Sequence, residues 1–230
     1  MRLEEVLKNL QQEKHGEVLT SWKEIPIKVK LQIKWISPED RFVSFDVKSC
    51  KFKHFFTGQN EIYAKIKEFY FTAKIFSNIK DELVLELESV APPPPIILRE
   101  FIRVQPSDKE PVYVSFCISN DCVARVKVED ISEAGIGFTL TKDEADKIVF
   151  ALSEIAQDIR KVHTPIEMEI ELPKGERIKA TGELRNLLSK EDGLYVRFGF
   201  QIKLKEEDAK KIRQYISKRQ REILETLKQL

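Results

Sequence analysis

The chain has 230 residues, a length that suits one large domain or two domains of ordinary size. Its 39 Lys and Arg residues nearly balance its 38 Asp and Glu residues. No overall field therefore attracts a nucleic-acid polymer, and any anion-binding site must be local. No apolar run reaches membrane-spanning length, and the amphipathic amino terminus lacks the pattern of a signal peptide. We expect a cytoplasmic protein without a membrane span.

The first ninety residues have the pattern of a small, mostly β domain. Residues 3–13 show helical spacing of apolar side chains, and Gly16 is expected to end this helix. Residues 27–35 alternate apolar side chains with lysines and glutamine, which is typical of a half-buried strand. The lysines could follow a phosphate backbone, but a solvated strand face is favoured because no arginine or aromatic residue is interleaved with them.

Further alternating segments predict a β-meander that closes as a barrel over residues 1–91. They lie at residues 43–47, 61–67, 69–76 and 83–87, with a turn at residues 37–40. The phenylalanine-rich segment Phe52–Phe56, followed by Thr57 and Gly58, has two interpretations. It could form an exposed contact patch, but the core of the barrel is the favoured interpretation.

Four consecutive prolines, Pro92–Pro95, indicate a linker over residues 92–98. Proline cannot join a sheet interior and favours the extended polyproline II conformation. The linker could be an inert spacer. Because it leads directly into Arg99, a ligand held by that arginine would also influence how the two domains are arranged.

Residues 99–230 predict a second barrel with two helices. Alternation at residues 112–118 and 124–128 flanks a turn at Asn120–Asp121, and further strands are expected at residues 166–172, 178–184 and 194–202. A capping box at Thr141–Glu144 precedes a helix over residues 143–160, including Ala156 and Ile159. The final helix, residues 206–228, has a charged outer half that is either solvated or pairs two subunits as a homodimer. The fold class is mostly β with helices (α+β), with two small β-barrels.

The three cysteines are Cys50, Cys117 and Cys122. An odd number without a secretory signal favours reduced thiols. Cys117 and Cys122 could face each other across a hairpin, but small buried strand residues are the favoured interpretation. The three histidines lack metal-ligand spacing, so neither a metal site nor a cofactor is predicted.

Two short segments of the second domain have the chemistry of a nucleotide site without a catalytic group. Arginine grips phosphate through a planar fork and stacks on flat bases, whereas Asp and Ser beside glycines suit a close-approach turn that accepts N–H donors. Taken singly, the arginines could pair with surface glutamates and the aspartate could cap a turn. The residues concerned are Arg99, Arg103, Asp130, Ser132 and Gly135, with the neighbouring Leu98 and Gly137 as further candidates.

Together these residues resemble the signature of the PilZ domain, RxxxR followed by [D/N]xSxxG. The resemblance covers roughly residues 97–230, and the preceding domain resembles that of YcgR-like members. It implies binding of cyclic di-GMP: Arg99 and Arg103 would contact phosphate and the guanine O6/N7 edge. Asp130 would accept from guanine N1 and N2, Ser132 would add a hydroxyl contact, and the glycines would keep the bend free of side chains. The helix over residues 143–160 departs from the family pattern.

The resemblance implies a receptor that orders the linker around the ligand, rearranges the two domains and alters contacts with a protein partner. The partner could be a flagellar motor component or part of a secretion or polysaccharide system, with motility, exopolysaccharide or biofilm output. Leu98 stands where many members carry a further arginine, which favours one ligand molecule per site over a stacked pair. The alternative is a PilZ-fold adaptor that binds protein only. No nucleophile elbow, P-loop or metal cluster supports an enzyme.

Overall fold

The computed structural model describes residues 2–57, 61–118, 121–155 and 165–229. The chain divides into two compact units, Met1–Glu100 and Phe101–Leu230. Each unit contains a closed six-stranded antiparallel barrel. The predicted fold class is confirmed: the protein is mostly β, with two small barrels, a helix inserted in the second barrel and a long carboxy-terminal helix.

Within the described residues, the first unit contains one α-helix and six strands. The strands are arranged around the barrel in the order β1-β2-β3-β6-β5-β4, and β4 pairs with β1 to close it. Helix α1 buries Val6, Leu7 and Leu10 against the barrel core, as its apolar stripe predicts. A short 3-10 helix, Pro95–Ile97, follows the last strand. The elements are α1 (Leu3–Leu10), β1 (His15–Trp22), β2 (Ile25–Ser37), β3 (Phe42–Asp46), β4 (Ile62–Ile66), β5 (Phe69–Ile79) and β6 (Glu82–Ala91).

Two sequence-based expectations about the first unit are wrong. Helix α1 ends at Leu10, and Gly16 lies inside β1, a strand that the alternation does not identify. A Cβ on Gly16 would lie 3.0 Å from the Phe45 ring, so close packing explains this glycine. Trp35 does not continue the buried side of β2: a bulge between Ile33 and Trp35 shifts the register, and the indole is 43% exposed.

The phenylalanine-rich segment of the first unit is mainly core, as favoured. Phe55 and Phe56 are buried, whereas Phe52 is 37% exposed. A 3-10 turn, Lys53–Phe55, directs the neighbouring rings to different sides. Gly58, which follows this segment, lies outside the described residues.

In the part of the second unit that the structure describes, there are seven strands and two α-helices. Six strands close the barrel in the order β10-β13-β12-β11-β8-β9, and β7 pairs with the outer edge of β9. The predicted residues Ala156 and Ile159 of the inserted helix lie outside the described residues, as does Asn120 of the predicted turn. The elements are β7 (Arg103–Val104), β8 (Tyr113–Ile118), β9 (Asp121–Ser132), β10 (Gly135–Thr141), α2 (Lys142–Ile155), β11 (Ile166–Leu172), β12 (Glu176–Lys190), β13 (Tyr195–Leu204) and α3 (Glu206–Gln229).

The core of the second barrel is a cluster of phenylalanine rings. Phe138 lies 5.7 Å, centroid to centroid, from both Phe198 and Phe200, and Phe116 lies 5.6 Å from Phe138. Phe138 is on β10, Phe198 and Phe200 are alternate positions of the neighbouring β13, and Phe116 is on β8; all four rings project into the interior of the barrel, where they meet. Helix α3 buries its apolar side within this unit, with Ala209, Ile212, Ile216, Ile223 and Leu227 nearly inaccessible. Pairing of α3 with another subunit stays a prediction.

The favoured interpretation of Cys117 and Cys122 is wrong. Both side chains are exposed, and they form a disulfide across the β8–β9 hairpin. The two residues are directly opposite each other in the strand register, and this pairing brings their Cβ atoms within bonding range of a disulfide. Cys50 is a buried free thiol, and burial raises its pKa.

Candidate functional site

The second half of the predicted motif is the hairpin that joins β9 to β10. Asp130 is directly opposite Gly137, and Ser132 is directly opposite Gly135. Positions two apart on a strand share one face, so Asp130 and Ser132 project to the same side of the sheet. The Ser132 hydroxyl donates to the Gly135 carbonyl at 3.3 Å, which ties the two ends of the turn together.

Strand β7 brings Arg103 to the same hairpin. It pairs with the free edge of β9, with Arg103 opposite Ser132. The Arg103 Nη1 atom lies 3.0 Å from Asp130 Oδ1, and its Nη2 atom would lie 4.0 Å from a Cβ placed on Gly135. Arg103 therefore lies at one sheet face with Asp130 and Ser132, from which it is 27 or more positions apart in the chain.

The carboxylate of Asp130 is buried yet incompletely satisfied. Its side chain is 3% exposed, and its Oδ1 atom lies 3.0 Å from Arg103 Nη1 in an ion pair but accepts no hydrogen bond from the described residues. The Arg103 Nε atom is likewise buried without an acceptor among them. A buried polar atom without a partner is costly. One acceptor and one donor are therefore unsatisfied side by side at this face.

A second arginine, which sequence reasoning does not identify, contacts the same carboxylate. Arg197 on β13 hydrogen-bonds Asp130 Oδ2 through Nη2 and Glu129 Oε2 through Nε, the latter at 3.2 Å. Its side chain is 17% exposed. A β-bulge, in which Gly137 pairs with Asp130 but Phe138 pairs with Val128, lets consecutive carboxylates face one guanidinium.

Glycines leave the space that this contact needs. Gly137 and Gly199 are directly opposite on β10 and β13. A Cβ on Gly137 would lie 2.5 Å from Asp130 Oδ2 and 2.6 Å from Arg197 Nη2. Close approach of two side chains across β10, rather than a positive φ angle, is therefore the reason for glycine at position 137.

Glu129 remains a carboxylate in this cluster. Burial by itself would raise its pKa, but the nearby Thr139 hydroxyl, Lys190 and Arg197 outweigh that effect and hold the pKa below its ordinary value. Lys190 Nζ donates to Glu129 Oε2 at 3.1 Å. The face thus carries two carboxylates and three cations within contact of one another.

The first arginine of the motif belongs to the other compact unit. Arg99 Nη1 donates to Glu24 Oε2 at 2.7 Å, and both side chains are about one-third exposed. Glu24 lies in the tight β1–β2 turn, where Lys23 and Glu24 both have positive φ angles. Leu98, next to Arg99, is 66% exposed. The structure thus brings together Arg103, Asp130, Ser132, Gly135 and Gly137, while Arg99 pairs within the first unit.

Other classes of site find no support within the described ranges. Across residues 2–57, 61–118, 121–155 and 165–229, no group of three or more His, Cys, Asp or Glu side chains is placed to hold a metal ion. None of the helices that these ranges contain is long and apolar enough to cross a membrane.

Fold and site together define a two-barrel protein whose second barrel holds a buried aspartate between two arginines. The chain belongs to the same family as two proteins of Aquifex aeolicus (strain VF5), both described as uncharacterized. One is 35% identical over 221 residues, covering 94% of this chain and 93% of the relative. The other is 32% identical over 199 residues, covering 86% and 91%. No protein-family model matches the chain.

Solved structures of similar extent have low sequence identity to the chain. The complex of MrkH from K. pneumonia with c-di-GMP is 13% identical, covers 98% of this chain and 93% of its own, and has a TM-score of 0.48. YcgR of Escherichia coli in complex with c-di-GMP is 12% identical, with coverages of 98% and 92% and a TM-score of 0.44. The Bacillus subtilis inhibitor of motility, MotI/DgrA, is 12% identical, with coverages of 90% and 96% and a TM-score of 0.42.

Proposed function

We propose that the chain is a receptor for cyclic di-GMP that acts by changing its contacts with another protein. The ligand binds at Arg103, Asp130 and Ser132. Arg99, which directly follows the linker (residues 92–98), supplies a further cation. Binding orders the linker, together with Arg99 and Arg103, around the dinucleotide and rearranges the two domains. The output is a changed protein contact in motility, exopolysaccharide synthesis or biofilm formation.

One observation carries the proposal: the unsatisfied acceptor on Asp130. A carboxylate that is 3% exposed and has one oxygen without a hydrogen-bond donor among the described residues suits a ligand that supplies N–H groups. The guanine N1–H and N2–H₂ groups form such a pair of donors on one edge. The adjacent Ser132 hydroxyl can bond to the same ligand, and Gly135, where an added Cβ would lie 3.2 Å from the Phe200 carbonyl oxygen, keeps the bend free of a side chain.

Binding requires Arg103 to exchange partners. At present the guanidinium lies against Asp130 and covers it. A phosphate offers the planar fork of Arg103 two oxygens and full charge compensation, so Arg103 turns outward and uncovers Asp130 for guanine. The ligand thus supplies an anion to Arg103 and donors to Asp130 in one step.

Calorimetric titration of cyclic di-GMP into the unaltered protein and into Arg103→Ala tests this proposal. We expect one molecule bound per chain, and a loss of affinity in the variant of about 100-fold or more, because two charge-assisted hydrogen bonds disappear. Asp130 keeps Arg197 as a partner, so the variant should fold. Arg177→Ala, which removes an exposed cation from the same barrel, is the matched control.

GTP and cyclic di-AMP serve as ligand controls in the same titration. No heat and no thermal shift with cyclic di-GMP would contradict the proposal and leave the alternative, an adaptor of this fold that binds only protein. That alternative has one favourable observation, since both arginines of the motif already pair with carboxylates of the chain. The search would then turn to protein partners.

A separate prediction concerns the Arg99–Glu24 ion pair. Glu24 competes with a ligand phosphate for Arg99, so Glu24→Gln should tighten binding of cyclic di-GMP about two- to fivefold, the range expected for a partly exposed pair. The gain should shrink as salt is raised, because salt screens such pairs. Glu39→Gln, at an exposed position before β3, is the control. An unchanged or weaker affinity in Glu24→Gln would show that the pair does not oppose binding.

A further inference from the structure

We propose that Arg197 is a positioning residue, which holds the carboxylate of Asp130 in the orientation that suits guanine while Arg103 engages phosphate. The inference rests on the proposed function and adds a residue, 67 positions away from Asp130 along the chain, that lies outside the recognised motif.

The two arginines on Asp130 are held differently. Arg103 makes a single ion pair with Asp130 through Nη1, and its Nε atom has no acceptor among the described residues. Arg197 uses two nitrogens on two carboxylates, Nε on Glu129 and Nη2 on Asp130. Arg197 is also the less exposed of the two, at 17% against 29% for Arg103. Arg103 is therefore the arginine that can leave.

A departing Arg103 would otherwise leave a buried charge without compensation. A carboxylate that is 3% exposed is strongly destabilised when its cationic partner is removed. Arg197 prevents this, because it stays on Asp130 Oδ2 while Oδ1 becomes free to accept from the ligand. Asp130 Oδ2 is therefore bound by Arg197, and Asp130 Oδ1 is available to accept a hydrogen bond from the ligand.

Arg197 is itself fixed by its surroundings. Glu129, which accepts from its Nε atom, also accepts from Lys190 Nζ at 3.1 Å. The chain Lys190–Glu129–Arg197–Asp130 links β12, β13 and β9, and it crosses β10, which lies between β13 and β9. Side-chain networks of this kind orient the group at their end, so Asp130 is presented at a constant angle to the site.

A double-mutant cycle with Arg197→Met and Asp130→Asn tests the inference, with cyclic di-GMP as the titrated ligand. Arg197→Met should weaken binding about 10- to 100-fold, the usual effect of removing a residue that orients a binding group. If Arg197 acts through Asp130, the double variant should bind no more weakly than Asp130→Asn alone. Arg177→Met is the matched control, since Arg177 is 66% exposed and pairs only at the surface with Glu169.

Arg197→Lys provides a second, milder variant. Lysine keeps the positive charge but lacks the planar fork that spans both carboxylates, so its affinity should lie between those of the unaltered protein and Arg197→Met. If thermal unfolding shows that Arg197→Met does not fold, the affinity of Arg197→Lys for cyclic di-GMP tests the inference instead.

Three results would overturn the inference. Arg197→Met or Arg197→Lys could bind as tightly as the unaltered protein. The losses of affinity in Arg197→Met and in Asp130→Asn could instead multiply in the double variant. That result would mean that Arg197 contacts the ligand directly. An unaltered protein that binds no cyclic di-GMP would overturn the proposed function itself, and this inference with it.

Discussion

Gly137→Ala is expected to weaken binding of cyclic di-GMP by about tenfold or more and to destabilise the second unit by about 1–3 kcal/mol, the usual cost of overpacking. The added Cβ would lie 2.5 Å from Asp130 Oδ2 and 2.6 Å from Arg197 Nη2. Both side chains must therefore move apart or tilt. Their ion pair is broken or lengthened, and the carboxylate no longer has its native orientation toward the site.

Gly199→Ala is the matched control for this prediction. Gly199 is directly opposite Gly137 on the neighbouring strand, yet a Cβ there would make only an ordinary contact, 3.4 Å from the Asn186 Cβ. Calorimetric titration and chemical denaturation of both variants separate the effects on binding and on stability. A Gly137→Ala protein that matches Gly199→Ala in both measurements would contradict the close-approach argument.

Phe138→Ala is expected to lower the free energy of unfolding of the second unit by about 3–5 kcal/mol, because a buried aromatic ring is lost and a cavity remains. Phe138 is inaccessible to solvent and contacts three other phenylalanine rings of the core. The cost corresponds to a drop of about 10–20 °C in the unfolding temperature for a unit of this size. Phe150→Ala, which removes a ring that is 64% exposed on α2, should change little.

The two tryptophans make this prediction specific to one unit. Trp22 and Trp35 both lie in the first unit, so tryptophan fluorescence follows the unfolding of that unit alone. Differential scanning calorimetry reports both units. Phe138→Ala should lower a calorimetric transition that the fluorescence does not follow. A shift confined to the fluorescence-monitored transition would contradict the assignment of Phe138 to the second core.

Alternation in the sequence predicts most strands because each barrel strand has one buried and one solvated face. Strand β11 is an example: Ile166, Met168, Ile170 and Leu172 are buried, and glutamates separate them. Strands β1, β7 and β10 are not identified. The two-residue strand β7 is too short to show a period, and β10 contains buried residues on both faces, including Gly135 and Gly137.

Bulges account for the other main differences. The bulge after Ile33 turns Trp35 outward, and the bulge at Glu129 directs two consecutive carboxylates to one face. An extra residue in a strand reverses the side-chain alternation beyond it. Whether a strand forms a bulge depends on how it pairs with its partner strand, so the local sequence does not predict the position of a bulge. The Cys117–Cys122 disulfide likewise follows from strand register.

Strand and helix periods in the sequence predict the two mostly β domains and the helices, because the period decides which side chains share a face. The motif residues Arg103, Asp130, Ser132 and Gly135 come instead from the resemblance to the PilZ signature. The pairing of Arg99 with Glu24 and of Arg197 with Asp130 is visible only in the folded chain. Closure of the second barrel explains the Arg197 contact, because it pairs β10 with both β9 and β13. Side chains that meet across the closed barrel, such as Arg197 and Asp130, are 67 positions apart in the chain. The repeat of a strand or a helix does not predict a contact over such a separation.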